Sequence, residues 1–253
     1  MLFGAWGEGF IPPSTEELGT NPDGYGGFNR HLVAATSNSF ECGARGTLSG
    51  SLEYDVTAFA MTTTNDFDRY RIPGRGNGEE GTFFKNVGAT KRYGLELSAR
   101  YQPFKTLTLQ VAYTYSHFRY DLGSPIPILM DDATIHKEIG RESWLPNSPR
   151  HQIAASARYE ILPGITVSLY TETLSRSYID GANLESESVP GYTLTGGQIV
   201  CDWRLGGFNG VLSFQARNLG NVKYVAFTEP DPGGNSYQPG AGREFFGGLR
   251  ILL

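Results

Sequence analysis

The chain carries four histidines, His31, His117, His136 and His151. Nucleophilic catalysis asks for a serine or cysteine within hydrogen-bond reach of such a base. His117 and His151 share a strand parity in neighbouring segments, so they can lie side by side, but Ser116 and Ser148 have the opposite parity. The pattern suits interface histidines better than a hydrolase, and no catalytic residue is assigned. Asp121, Asp131, Asp132 and Glu138 offer the oxygen ligands that calcium takes. Their spacing matches no calcium loop, so they read as solvated acids, with no metal site and no cofactor. Arg69, Arg71 and Arg75 share one polar stretch and could grip an anionic chelate by charge-assisted hydrogen bonds. Tyr25, Phe28, Trp144 and Tyr237 lie in turn-rich stretches where an aromatic ring could stack on a ligand. The ligand-binding candidates are therefore Arg69, Arg71, Arg75, Trp144, Tyr25 and Tyr237.

These loops need a frame, and the stretch 93–120 shows its nature. Tyr93, Leu95, Leu97, Ala99 and Tyr101 alternate with Gly94, Glu96, Ser98, Arg100 and Gln102. After a turn containing Pro103, Leu107, Leu109, Val111, Tyr113 and Tyr115 alternate with Thr108, Gln110, Ala112, Thr114 and Ser116. Period-two alternation places one set on each face of a sheet. The alternation lasts for roughly the 9–11 residues that a tilted strand needs to cross a bilayer. Tyrosines and phenylalanines gather at both ends of the apolar face, as a membrane interface selects.

The same pattern recurs along the chain and predicts ten strands, the first covering only 2–6. Short turns are expected at 49–51, 103–106, 162–164 and 206–210. Long connections are expected at 7–37, 63–80, 120–147, 179–188 and 219–241. A slip in alternation at Gly196-Gly197 predicts a bulge. Short turns at one rim and long loops at the other form the pattern of an outer-membrane barrel. The fold class is thus all-β, an antiparallel up-and-down transmembrane barrel. Glu96, Arg100, Arg158 and Arg217 are expected on its lumen side; Leu95, Leu97, Leu109, Val111, Ile153 and Ile165 are expected on its lipid side.

Composition agrees. The chain has 253 residues, 33 Gly, 14 Pro, 13% aromatics and a formal net charge of −5, which gives no footprint for nucleic acid. No apolar run of about 18 residues offers a transmembrane helix. Mean hydropathy is −0.30, which a barrel allows because half of its residues avoid lipid. Cys42 and Cys201 are far apart and fall at apolar-face parity, so they read as small side chains rather than as a disulfide.

Several segments together resemble the TonB-dependent outer-membrane receptors. Residues 3–13, FGAWGEGFIPP, with Glu16-Glu17-Leu18, are similar to that family's GxGFxxP…EL segment. Residues 86–97, NVGATKRYGLEL, resemble its NVG…GxE strand. LPNSPRH at 145–151, VPGYT at 189–193 and ARNLGNVKY at 216–224 follow in family order, and Gly242-Arg243-Glu244 precedes the last strand. The resemblance implies a barrel of about 22 strands with a plug in its lumen, in the outer membrane of a Gram-negative bacterium. It also implies an energy-transducing TonB complex as partner and a scarce ligand, most often a ferric siderophore. Residues 1–253 match only the last part of such a barrel, about ten strands, without the plug domain or a signal peptide. The alternative is a self-closed small barrel acting as a pore or as an outer-membrane hydrolase.

Overall fold

The computed structural model describes residues 1–22, 27–72, 81–131, 134–231 and 234–252. The strands are β1 (Leu2–Ile11), β2 (Ala35–Leu48), β3 (Leu52–Ile72), β4 (Gly81–Phe104), β5 (Leu107–Asp121), β6 (Ile126–Asp131), β7 (Thr134–Ile139) and β8 (His151–Leu162). They continue with β9 (Ile165–Leu174), β10 (Ser177–Tyr178), β11 (Ser188–Val189), β12 (Tyr192–Leu205), β13 (Phe208–Arg217), β14 (Val225–Glu229), β15 (Ser236–Pro239) and β16 (Glu244–Leu252). A five-residue helix, α1 (Thr15–Gly19), is started by a capping box between Ser14 and Glu17.

The main sheet runs β1-β2-β3-β4-β5-β8-β9-β12-β13-β16, each strand antiparallel to the next. This is the up-and-down order that the alternating short and long connections predict. Among the described residues no pairing joins β1 to β16, so both sheet edges are open.

The register sorts the side chains into two faces. One row crosses the sheet through Thr47, Glu53, Arg100, Gln110, Ser156 and Tyr170. A cavity of about 960 Å³, lined by Arg45, Glu53, Arg100, Gln110, Ser156 and Glu172, opens on this polar face, which is therefore the concave one. The opposite row runs Ala44, Val56, Leu97, Tyr113 and Ile153. That face is apolar and yet open to the surroundings: Trp6, Phe40, Val111, Leu169, Ile199, Leu212 and Leu249 are all exposed. Leu95, Leu109 and Ile165 share its parity, as do the two free cysteines, Cys42 and Cys201. An exposed apolar face this wide calls for a covering of matching polarity.

Four expectations need correction. First, β1 is not confined to 2–6; it pairs with β2 from Leu2 to Ile11. The glycines at 4, 7 and 9 hide its alternation, since they bring no side chain to count. Second, the connection 63–80 is largely strand, because β3 and β4 remain paired as far as Ile72 and Gly81. Third, the loops 120–147 and 219–241 contain the hairpins β6–β7 and β14–β15. Fourth, Gly196-Gly197 is not a bulge; its register with β9 is unbroken. The glycine at 196 makes room for the Tyr170 ring, which a Cβ there would strike. The irregularities of β3 lie at Asn65, in the left-handed region at φ 56°, and opposite Gly88 at φ 109°.

A small core sits at the long-loop end. Tyr70, Val87, Tyr120, Leu122, Ile128, Ile139 and Leu145 form one buried cluster beneath the β6–β7 hairpin. Among the described residues the hairpin meets β3 through one parallel bridge, Arg71 to Leu129. Lys85 Nζ holds it from β4 by donating to Pro127 O at 2.6 Å.

Candidate functional site

Long loops on a barrel rim are positioned by fasteners, and the motif residues supply several. Asn86 donates from Nδ2 to Val33 O at 2.9 Å and to Asn65 O at 2.6 Å, and accepts from Val33 N at 3.0 Å. It thus pins the 27–34 connection to the bulged tip of β3. Asn218, at φ 46°, closes the last long loop. Its Nδ2 donates to Val222 O at 2.9 Å and to Ala241 O at 3.0 Å, and its Oδ1 accepts from Val222 N at 2.8 Å. Asparagine suits both demands, because it tolerates the left-handed region and offers donor and acceptor together. Asn147, at φ 51°, accepts from Thr228 Oγ1 at 2.5 Å and so ties the loop before β8 to β14.

At the centre of this layer lies an ionic knot. Lys137 Nζ, on β7, reaches Asp180 Oδ2 at 2.7 Å and Glu187 Oε2 at 2.5 Å. Asn235 Nδ2 donates to the same two oxygens at 3.1 and 2.8 Å. Three loops therefore meet at one ammonium. The Lys137 and Asp180 side chains are only 6% and 7% exposed. Burial disfavours the charge on Lys137, but the hydrogen bonds to Asp180 and Glu187 outweigh it and hold the ammonium above its ordinary pKa. Burial likewise opposes the Asp180 carboxylate, and the bonds from Lys137 and Asn235 overcome it, leaving its pKa below the ordinary value. Beneath the knot, Tyr120 Oη donates to Asp68, which burial pushes above the usual carboxylate range. Asp66 takes Arg92 Nη2 at 3.0 Å and Thr90 Oγ1 at 2.7 Å.

The candidate ligand residues do not converge. Arg69 Nη1 donates to Pro230 O at 3.2 Å, and Arg71 pairs with Asp231 at 3.5 Å, so both clasp the last long loop. Tyr237 lies exposed on β15, opposite Thr228. Trp144 bridges to Arg119 beside β5, on the apolar-face parity. There the Arg119 and Arg150 guanidinium groups lie 4.1 and 4.3 Å from its ring centre. Tyr25, Arg75 and Asp132 lie outside the described residues. Glu96, Arg100, Arg158 and Arg217 fall on the concave parity; Arg100 lines the cavity and Arg217 lies over Phe246 at 4.9 Å.

His117 and His151 both occupy the outward face. His117 stacks on Tyr93 at 4.4 Å, and Tyr113 Oη meets His151 Nδ1 at 2.9 Å. Tyr115 touches both rings, while Ser116 is buried on the opposite face. Among the described residues no group of three or more His, Cys, Asp and Glu side chains could hold a metal ion.

The sequence reading missed Lys137, Asp180, Glu187 and Asn235, because partners 43 and 50 residues apart leave no local signature. It also missed Arg119, although parity offered a signal: it is a cation continuing the apolar-face series Tyr113, Tyr115 and His117.

Comparison with known proteins agrees with this architecture. The family model described as "TonB dependent receptor-like, beta-barrel" matches residues 1–219. The chain is similar to the ferrioxamine B receptor of Salmonella typhimurium, 28% identical over 147 residues, covering 56% of this chain and 19% of that protein. It is similar also to the ferrioxamine receptor of Yersinia enterocolitica, 26% identical over 198 residues, covering 77% and 25%. The chain thus spans 19–25% of the length of these curated relatives. Among solved structures, copper transporter OprC superposes at TM-score 0.71 with 15% identity, over 99% of this chain and 38% of that one. The Escherichia coli ferric-catecholate import receptor Fiu superposes at 0.70 with 17% identity, over 99% and 33%. At these identities the likeness concerns the fold.

Proposed function

Because the chain belongs to the TonB dependent receptor-like β-barrel family, we propose that it forms one arc of an outer-membrane receptor that takes up a ferric siderophore. The observation that carries this reading is the division of the sheet into two faces. An exposed apolar face opposes a polar, concave one, and among the described residues the sheet has two open edges. Unpaired edges do not persist in lipid, so neighbouring strands must complete the ring. In that ring Glu96, Arg100, Arg158 and Arg217 face the lumen and its plug, and the energy comes through TonB. The protein performs no bond chemistry. The names of the curated relatives suggest a hydroxamate chelate as the first ligand to try.

Arg69, Arg71, Arg75, Trp144, Tyr25 and Tyr237 are the ligand candidates in this proposal. Tyr237 presents an open ring, whereas Arg69 and Arg71 act by setting the loop that carries Asp231. The test is uptake of radioactive iron as ferrioxamine B by cells that depend on the gene containing this chain. Loss of uptake on deletion of the gene, with recovery on complementation, supports the reading. Equal uptake with and without the gene contradicts this ligand. The 253-residue chain alone is expected to aggregate in detergent. A heat-modifiable, conducting monomer would favour a closed small pore instead.

A further inference from the structure

The ring of Trp144 packs against two cations on the outward face of the sheet, away from the lumen side. Arg119 sits 4.1 Å and Arg150 4.3 Å from its centre. Both guanidinium groups are thus within cation–π range of one indole ring. His117 meets the Trp144 edge at 4.8 Å and stacks on Tyr93. Below this group Tyr113, Tyr115 and His151 form the aromatic row that a bilayer interface selects. The two arginines therefore stand just beyond the hydrocarbon, at headgroup height.

Their charge is only partly answered. Glu142 approaches Arg119 at 3.6 Å but is 78% exposed, and Lys91 is matched by Asp121 at 2.7 Å. Arg150 is exposed and has no carboxylate partner among the described residues. Arg119 Nε is buried and has no acceptor there either. Two guanidinium groups with one exposed carboxylate near them, braced by an aromatic ring at the interface, suit an anionic oxygen group. Guanidinium forks match phosphate in particular.

The geometry points to a binding site for the headgroup phosphate of an anionic lipid, formed by Arg119 and Arg150 around Trp144 on the outer wall of the barrel. The site rests on the lipid-facing reading of the apolar sheet face. Lipid is the source of the phosphate because the pair faces outward, continuous with that surface and away from the lumen. Lipid bound there would brace the loop before β8, which Trp144 also joins to Asn183 by two hydrogen bonds, of 2.5 and 3.0 Å.

The experiment places the receptor containing this chain in phosphatidylcholine nanodiscs doped with phosphatidic acid, and native mass spectrometry counts the lipids retained. Wild type is expected to retain phosphatidic acid selectively. Arg150→Gln removes an exposed group that makes no ion pair among the described residues, so the fold should survive, and retention should fall about fivefold; Arg119→Gln with Arg150→Gln should lower it roughly thirtyfold. Arg204→Gln, the same charge change on the concave parity, should leave retention as in wild type. Retention unchanged in the double variant, or lost equally in Arg204→Gln, overturns the site. Displacement of the lipid by an equal concentration of inorganic phosphate overturns the lipid as its occupant. Failure of wild type to insert into the nanodisc is a separate result: it overturns the barrel reading, and the site falls with it.

Discussion

Replacing Lys137 with methionine removes the ammonium on which three loops converge, at little cost in side-chain volume. Asp180 is left 7% exposed with a carboxylate that has lost its cation, and Glu187, at 30%, regains part of its hydration. Breaking a buried pair by deleting one partner costs about 3–5 kcal/mol. The partial solvation of Glu187 and the surviving donor, Asn235, favour the lower end, about 3 kcal/mol. That corresponds to roughly a hundredfold rise in local opening. Hydrogen exchange reads it directly. The amides of Asn147, bonded to Tyr178 O at 2.8 Å, and Ile179, bonded to Glu187 O at 3.3 Å, should exchange about a hundredfold faster. Amides in the middle of β4 and β5 should not change. The pH dependence follows from the two shifts. The lowered pKa of Asp180 adds stability that is present above the unfolded value, about 3.9, and is lost as pH falls through the folded one. The raised pKa of Lys137 adds stability that is fully present below about 10.4 and is lost as pH rises through the folded value. Wild-type exchange at Ile179 should therefore show protection that is level from mild acid to mild alkali. Protection at Ile179 unaltered by Lys137→Met, or lost together with that of β4, would refute the idea of a local knot.

Other expected outcomes test separate parts of the account. Leu97→Arg, at the middle of the apolar face between Tyr93 and Tyr101, should cost about 2–4 kcal/mol of insertion stability in lipid vesicles. Ser98→Arg, one residue away on the polar face, should stay within about 0.5 kcal/mol. Gly196→Val drives a side chain into the Tyr170 ring; overpacking should lower stability by about 1–3 kcal/mol, seen as an earlier heat-modification transition. Asn218→Ala loses three hydrogen bonds and strains a left-handed residue, so loop 218–243 should become the first site of limited proteolysis. Asn218→Gly should be cleaved more slowly than Asn218→Ala, because glycine accepts φ 46° without strain.

The frame was legible in the sequence because long strands repeat one signal many times. Leu95, Leu97, Leu109 and Val111 each occupy the parity that alternation assigns, and the register rows follow from it. Legibility ended where that signal is short or interrupted. Glycine positions in β1 and at 196 brought no side chain to the count. The hairpins β6–β7 and β14–β15, of four to six residues a strand, carry too few positions to separate alternation from ordinary loop polarity. The motif asparagines were recognisable as a pattern, but their work is architectural: Asn86 and Asn218 fasten loops. The residues picked for ligand chemistry were chosen by type, and type does not say that Arg69 and Arg71 turn toward residues 230–231. Contacts spanning such distances, like those of Lys137, arise only once the sheet has brought the loop bases together.

The most direct test of the two-faced arc uses spin labels in the receptor containing this chain, reconstituted in lipid, with Cys42 and Cys201 replaced by serine. Labels placed singly at positions 95 to 100 and 109 to 114 report oxygen access from lipid and access of a polar nickel reagent from water. High oxygen access is expected at 95, 97, 99, 109, 111 and 113, with high nickel access at 96, 98, 100, 110, 112 and 114. Access that follows the opposite phase, or shows no period of two, would contradict the assignment of this sheet to a membrane barrel wall.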